Sequence, residues 1–250
     1  RALSTEHEVV AAVRLPSAMS GNQFVIDDIC SITGADLAGV ECVIHAAGVA
    51  ESGVPKEEML RVNVKGAHFL AKACRDAGVR QLINLSSVKA AGEGSVGPES
   101  PDKPVTNYGQ SKFLAEREFD AMLVGATTRI THLRFPIVYG ARVNNNFQTL
   151  VKLSGSVLPL PFSSLRTQRS YCFLGNLVQL VQIALRTPTS DSIVYLADPE
   201  SITLPRLLME IARIRGKSLS LLPFPESLLM LVVRVLKPGY MNQLFGDSIV

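Results

Sequence analysis

Gln81-Leu-Ile-Asn-Leu-Ser-Ser-Val-Lys89 decides how the rest of the chain is read. Ile83 to Leu85 predict a buried strand, and Ser86-Ser87 fall where its carboxyl end opens into a loop. Beyond a Gly/Pro-rich stretch the chain reaches Asn107-Tyr-Gly-Gln-Ser-Lys112, where Tyr108 and Lys112 open a helix and share one face of it. A tyrosine of unperturbed pKa about 10 is a poor acid-base near neutrality, but a neighbouring ammonium favours its phenolate. A serine hydroxyl can hydrogen-bond the same substrate oxygen. The placement suits proton transfer coupled to hydride transfer, with Ser87, Tyr108 and Lys112 as candidate catalytic residues. Tyr-x-x-x-Lys alone is a weak pattern that an unremarkable exposed helix can also carry. The serine pair at a strand end, within α/β surroundings, favours the catalytic reading.

Outward from this stretch, strand and helix alternate. Residues 1–6 read as the tail of a helix, His7 to Arg14 as a strand ended by the Pro16 break, and Gln23 to Ile29 as a second strand. A short helix at Thr33 to Leu37 and a strand from Cys42 into Ala46-Ala47-Gly48 follow. A helix then runs from about Lys56 to Asp76, with Gly78 past its end. The helix of Tyr108 continues to about Leu123, and Ile130 to Val138 read as one strand ending at Tyr139-Gly140. The strands are nearly continuous apolar runs, the pattern of a parallel sheet covered on both faces. Small residues gather at their carboxyl ends, where such sheets bind ligands. The fold class is α/β, a doubly wound parallel sheet. Residues 1–140 form its dinucleotide-binding type of domain. Residues 141–250 form mainly a smaller α/β lobe, with elements returning to the first domain: Arg169 to Phe173 reads as a short strand before helix 175–186, and Ile193 to Ala197, Leu204 to Ile214, Leu219 to Leu222 and Leu228 to Leu236 alternate again.

Composition narrows the classes. Charged residues make up 19% and the formal net charge is +3, too small to argue for nucleic acid in the absence of a dense basic patch. Cys30, Cys42, Cys74 and Cys172 lack metal-ligand spacing and fall in apolar segments, which reads as reduced core thiols and a cytoplasmic setting. His7, His45, His68 and His132 form no ligand pair and read as structural, so no metal is expected. No signal peptide is visible. The apolar run Leu228 to Val233 is too short to span a bilayer; packing on the second lobe or amphipathic membrane contact would both use it.

Val43-Ile-His-Ala-Ala-Gly48, Asn63-Val-Lys-Gly66, Leu85-Ser-Ser87, Tyr108-x-x-x-Lys112 and Leu133-Arg-Phe-Pro-Ile-Val-Tyr-Gly140 occur in the order that resembles the extended short-chain dehydrogenases/reductases, the NAD-dependent epimerase/dehydratase proteins acting on nucleotide sugars. The resemblance covers essentially the whole chain. It implies that Tyr108 gives or takes the proton, that Ser87 binds the reacting oxygen, and that Lys112 binds the nicotinamide ribose and holds the tyrosine's pKa down. It implies adenine contacts at Asp28 and Ile29, and a dinucleotide lined by Ala46, Ala47 and Gly48. Asn146 and Arg169 would meet the nucleotide diphosphate of a UDP-sugar substrate, a role that suits a fixed-charge bidentate guanidinium. Asp28 could equally cap a turn, and Asn63 could bridge elements structurally rather than touch substrate.

The chain departs from the family pattern in three places. No Gly-x-x-Gly-x-x-Gly precedes Arg1, so the first strand and the glycine-rich turn are absent from the given sequence, and relatives usually continue past Val250. Val13 and Arg14 stand where NAD users carry an acidic residue, which leans from NAD toward NADP. Ile137 stands where many 4-epimerases carry an asparagine. The Phe-Pro-Ile-Val-Tyr-Gly segment, Leu158-Pro-Leu-Pro161 and the lobe 175–225 resemble bacterial O-antigen enzymes of polysaccharide biosynthesis, of the UDP-N-acetylquinovosamine dehydrogenase type. The expected activity is therefore 4-keto sugar reduction at C4 of a UDP-hexose or UDP-N-acetylhexosamine, with UDP-glucose or UDP-N-acetylglucosamine 4-epimerisation as the alternative. A non-catalytic dinucleotide-binding regulator is the second alternative. A dehydratase would want a carboxylate pair by the serine, where Val88 and Lys89 stand. The resemblance also implies a homodimer through the helix from Val105 to Leu123, whose Phe113, Leu114, Phe119 and Met122 exceed what one sheet face needs.

Overall fold

A computed structural model describes residues 3, 6–15, 21–50, 53–141, 146–187, 192–236 and 248–250. Strands β1 (Val10–Val13), β2 (Asn22–Val25) and β3 (Cys42–His45) come first. Helix α1 (Lys56–Leu60) passes through a π-helical turn at Arg61–Lys65 into α2 (Gly66–Ala77), then β4 (Gln81–Leu85) and β5 (Gly94–Ser95). Next come α3 (Asn107–Leu123), β6 (Arg129–Arg134), β7 (Ile137–Tyr139), α4 (Asn146–Leu153), β8 (Gln168–Arg169), β9 (Tyr171–Phe173) and α5 (Leu174–Arg186). The last elements are β10 (Ile193–Tyr195), β11 (Ile202–Thr203), α6 (Leu204–Ile214), α7 (Glu226–Leu236) and β12 (Ser248–Ile249). The helix tail expected at residues 1–6 rests largely on residues outside the described set, and so do the Pro16 break and the Asn146 side chain.

The chain divides into two compact units. The first comprises Arg1–Ala90, Pro104–Arg134 and Val178–Val194; the second comprises Ala91–Lys103, Phe135–Leu177 and Tyr195–Val250. The segment Ala91–Lys103 thus groups with the later residues, and the chain leaves the first unit at Arg134 rather than near residue 140.

The first unit is built on a sheet of order β10-β6-β4-β3, beside the separate pair β1-β2. The β1–β2, β3–β4 and β4–β6 pairings are parallel. On one face, Leu82 packs with Ala67, Leu70, Ala71 and Cys74 of α2 and with Ala115, Phe119 and Leu123 of α3. Helix α2 stops at Gly78, whose φ of 68 caps the last turn as a residue with a Cβ would resist. Polar residues inside the sheet are paired, as burial demands. Gln81 donates through Nε2 to the Ala184 carbonyl at 2.8 Å, and Asn84 meets Nδ1 of His132 at 2.9 Å. His132 Nε2 lies 3.1 Å from Asp120, so this histidine is a core strut.

In the second unit β7 pairs with β9 in parallel, and a second sheet has the order β11-β8-β12-β5. Leu165, Leu204, Leu208 and Leu229 form its apolar centre. The strand expected over Ile130 to Val138 is two strands in different sheets, because Phe135-Pro136 interrupts the ladder and proline brings no N–H to it. Arg169 to Phe173 is likewise split, at Ser170, whose N–H turns to the Ser248 carbonyl at 2.8 Å. Strand β2 ends at Val25, short of the expected Ile29, because Asp28 caps a 3-10 turn at Ile29–Ser31. Among the described residues no helix is long and apolar enough to cross a membrane. No cluster of three or more His, Cys, Asp or Glu among them is placed to hold a metal ion.

Candidate active site

Two elements of the first unit deliver the predicted trio. Strand β4 carries Leu85 to its carboxyl end, and Ser86 and Ser87 are buried just past it, before the tight turn Val88–Ala90. Helix α3 begins at Asn107, its first turn capped by Thr106 Oγ1, which accepts from the Gly109 N–H at 3.0 Å. The helix start presses against the chain after Ser87, since a Cβ on Gly109 would stand 2.3 Å from the Lys89 carbonyl oxygen. That approach needs glycine, and it holds the start of α3, with Tyr108, against the segment that follows Ser87. Lys112 is buried and donates from Nζ to the Leu85 carbonyl at 2.8 Å.

The electrostatics differ from expectation in one respect. Burial pushes the Tyr108 phenol above its ordinary range, and the Ser87 hydrogen bond is what pulls it back. The Lys112 ammonium is engaged by the Leu85 carbonyl. Lys112 is itself pushed down to about 8 by desolvation, opposed by Glu116. It stays charged at neutral pH. His45, at the end of β3, is driven to about 3 by burial and then by the Lys112 charge, so it faces the site as a neutral ring.

The other predicted residues of the first unit lie past β1, past β3, and after β2 where the 3-10 turn at Ile29–Ser31 begins. Ala46, Ala47 and Gly48 continue from β3 as an exposed strip of small residues. Asn63, buried in the π-helical turn, accepts from Val49 N–H at 2.8 Å and donates to the Val49 carbonyl at 3.0 Å and to Ser111 Oγ at 2.9 Å. These bonds make it a bridge between elements. Ile29 packs on the core, and a Cβ on Gly66 would come within 2.7 Å of its Cγ2. Asp28 accepts from Cys30 N–H at 2.8 Å and from Arg61 Nη1 at 2.8 Å. The backbone bond first, then the guanidinium, hold its carboxyl below the usual range. Arg61 also binds Glu58 at 2.7 Å, and Glu58 feels the charge of exposed Arg14. Asp28, Glu58 and Arg61 thus form one ion-paired group, on which the charge of Arg14 is a minor influence.

Arg169 is buried in β8 of the second unit, and Asn146 begins α4 there. Three residues outside the predicted set matter. Glu116 accepts from Arg134 through Nε at 3.1 Å and Nη2 at 2.6 Å, and Ser86 Oγ donates to the same carboxylate. Glu116 stands four residues after Lys112, so helical spacing could have found it. Nothing in the sequence marks Arg134 as its partner.

The family model described as the NAD dependent epimerase/dehydratase family matches residues 1–196. UDP-glucose 4-epimerase of Vibrio cholerae is 32% identical over 238 residues, covering 89% of this chain and 73% of that protein. The N-acetyl-alpha-D-glucosaminyl-diphospho-ditrans,octacis-undecaprenol 4-epimerase of Escherichia coli O157:H7 is 26% identical; the match covers 78% of this chain and 61% of the relative. The solved structure of MoeE5 in complex with UDP-glucuronic acid and NAD shares the fold, with a TM-score of 0.76 at 23% identity, over 88% of this chain and 78% of that one. The parallel sheet, the strand-end trio and the match over more than half its length agree: this chain belongs to the NAD-dependent epimerase/dehydratase family of enzymes.

Proposed function

We propose that the chain works at C4 of a nucleotide-linked hexose or N-acetylhexosamine, and that it inverts that centre. The observation that carries this reading is the convergence of Ser87, buried just past the end of β4, with Tyr108 and Lys112 on one face of α3, where Lys112 Nζ reaches the Leu85 carbonyl at 2.8 Å. Tyr108 takes the proton of the C4 hydroxyl and later returns it, while Ser87 holds the same oxygen. Lys112, charged at neutral pH, donates to the ribose and keeps positive charge beside the proton-transfer pair. A bound nicotinamide dinucleotide supplies the hydride chemistry at C4. Ala46, Ala47 and Gly48 would lie along that dinucleotide, with Asp28 and Ile29 toward its adenine. Asn146 and Arg169 are the proposed contacts to a UDP diphosphate. Both named relatives are 4-epimerases, which favours epimerisation.

Reduction of a 4-keto sugar is the second reading, favoured by Ile137 and by Arg14 in place of an acidic residue. Arg14 is exposed to solvent, so the preference for NADPH over NADH should be less than about tenfold and disappear in Arg14→Ala. Four free thiols suit action in the cytoplasm. The working form is a homodimer that supplies sugars for polysaccharide synthesis.

Purified full-length protein given UDP-glucose or UDP-N-acetylglucosamine, without added dinucleotide, should form the 4-epimer and release NAD on denaturation. An empty protein that consumes NADPH with a 4-keto sugar would establish the reductase instead. Dinucleotide binding without turnover of either kind would leave a regulator.

A further inference from the structure

We propose that Glu116 is a positioning residue for this site, tying α3 to the carboxyl ends of β4 and β6 and serving as the counter-charge of Lys112. The inference rests on the reading of Ser87, Tyr108 and Lys112 as the reacting trio.

Glu116 sits one helical turn beyond Lys112, and its side chain is 3% exposed, against 2% for Arg134. The Arg134 fork fixes the carboxylate through Nε at 3.1 Å and Nη2 at 2.6 Å, anchoring α3 to the last residue of β6. Ser86 donates to the same oxygen, Oε1, that accepts from Arg134 Nε. Ser86 lies between the two residues of β4's end that the trio uses: Leu85, whose carbonyl holds Lys112, and Ser87, the predicted partner of Tyr108. One buried carboxylate therefore sets the register of both halves of the trio.

Its charge has a second effect. The groups that act on Lys112 are Glu116 from its own helix, His45 from β3 and the Leu85 carbonyl from β4, with Arg134 of β6 paired to Glu116. His45 is neutral, and Arg134 is a second cation. Desolvation works against the Lys112 ammonium, and Glu116 is the neighbour that sustains it. Without that charge, Arg134 and Lys112 would be two cations in one buried region, and Lys112 would yield its proton at lower pH.

The test is turnover of UDP-glucose and UDP-N-acetylglucosamine by the full-length protein across pH, for wild type, Glu116→Gln, Ser86→Ala and Tyr108→Phe. Glu116→Gln should move the alkaline limb of the kcat profile to lower pH, so that its loss at about pH 8.5 exceeds its loss at about pH 6.5 by about tenfold, with KM little changed. Ser86→Ala keeps the charge and removes one tie. It should lower kcat about threefold to tenfold with the limb unmoved. A role confined to stability would lower the Tm and leave both profiles as in wild type, which would overturn the inference. Should Glu116→Gln fail to fold, Ser86→Ala decides alone: unchanged kcat rejects the positioning role. If Tyr108→Phe abolishes turnover while these variants match wild type, the inference fails and the reading beneath it stands. If Tyr108→Phe keeps full turnover, both fail.

Discussion

His45 closes β3 with a side chain only 5% exposed, its ring edge-on to Phe119 at 5.4 Å. Its folded-state pKa, about 3, lies below the ordinary 6.5, so the unfolded chain binds a proton that the folded one refuses between those values. Stability therefore falls as pH drops through that window. At about pH 5 the term amounts to about 2 kcal/mol. Urea unfolding at about pH 7.5 and about pH 5 should show this loss in wild type and a smaller one in His45→Asn. Equal acid sensitivity in the two would mean that His45 takes up its proton without cost. Residue types and spacing made Ser87, Tyr108 and Lys112 legible in the sequence, because a strand end and a helical face follow from pattern alone. Which atom each would choose was not legible. Lys112 turns to the Leu85 carbonyl and Asp28 to Arg61, choices that depend on elements meeting across more than twenty residues of chain.

At the scale of elements, Gly109 decides how closely α3 approaches the strand-end turn. Alanine there would place its Cβ 2.3 Å from a backbone oxygen that cannot swing away as a side chain could. The helix start must then shift, at a cost of about 1–3 kcal/mol, carrying Tyr108 away from the segment that follows Ser87. Gly109→Ala should lower the Tm and cut kcat by more than about tenfold; a variant with lowered Tm and wild-type kcat would show that this contact does not set the trio. The pattern that revealed α3 could not reveal this contact, since nothing in a helical repeat says what its first turn rests on. The reverse holds for β6 and β7. Their apolar run reads as one strand, and only the absence of an N–H at Pro136 explains why the chain leaves one sheet for another. Asn63 shows the same limit, its three bonds spent on Val49 and Ser111 within a π-helical turn no repeat foretells.

For the whole molecule, α3 bears on assembly as well as on chemistry. Phe119 of the expected contact set is fully buried in its own core and Met122 packs against that core, while Leu114 remains 44% exposed and Phe69 of α2 38% exposed. The proposed dimer therefore rests on a narrower apolar stripe than four large side chains. Light scattering on full-length protein at micromolar concentration should give twice the chain mass, falling to one chain mass in Leu114→Glu; a wild-type monomer would reject the dimer. The order of strands and helices was legible because a covered parallel sheet imposes long apolar runs. The interleaving of the two units was not, because each crossing is made by a few residues without a composition of their own. The central claim is that Tyr108 moves the proton in a site that otherwise holds its ligands intact. Its most direct measurement is kcat with UDP-glucose and UDP-N-acetylglucosamine, beside NAD affinity by calorimetry, for full-length wild type and Tyr108→Phe. The account predicts that kcat falls by at least about a hundredfold while the NAD dissociation constant changes less than about threefold. Turnover within about threefold of wild type, at unchanged NAD affinity, would contradict it.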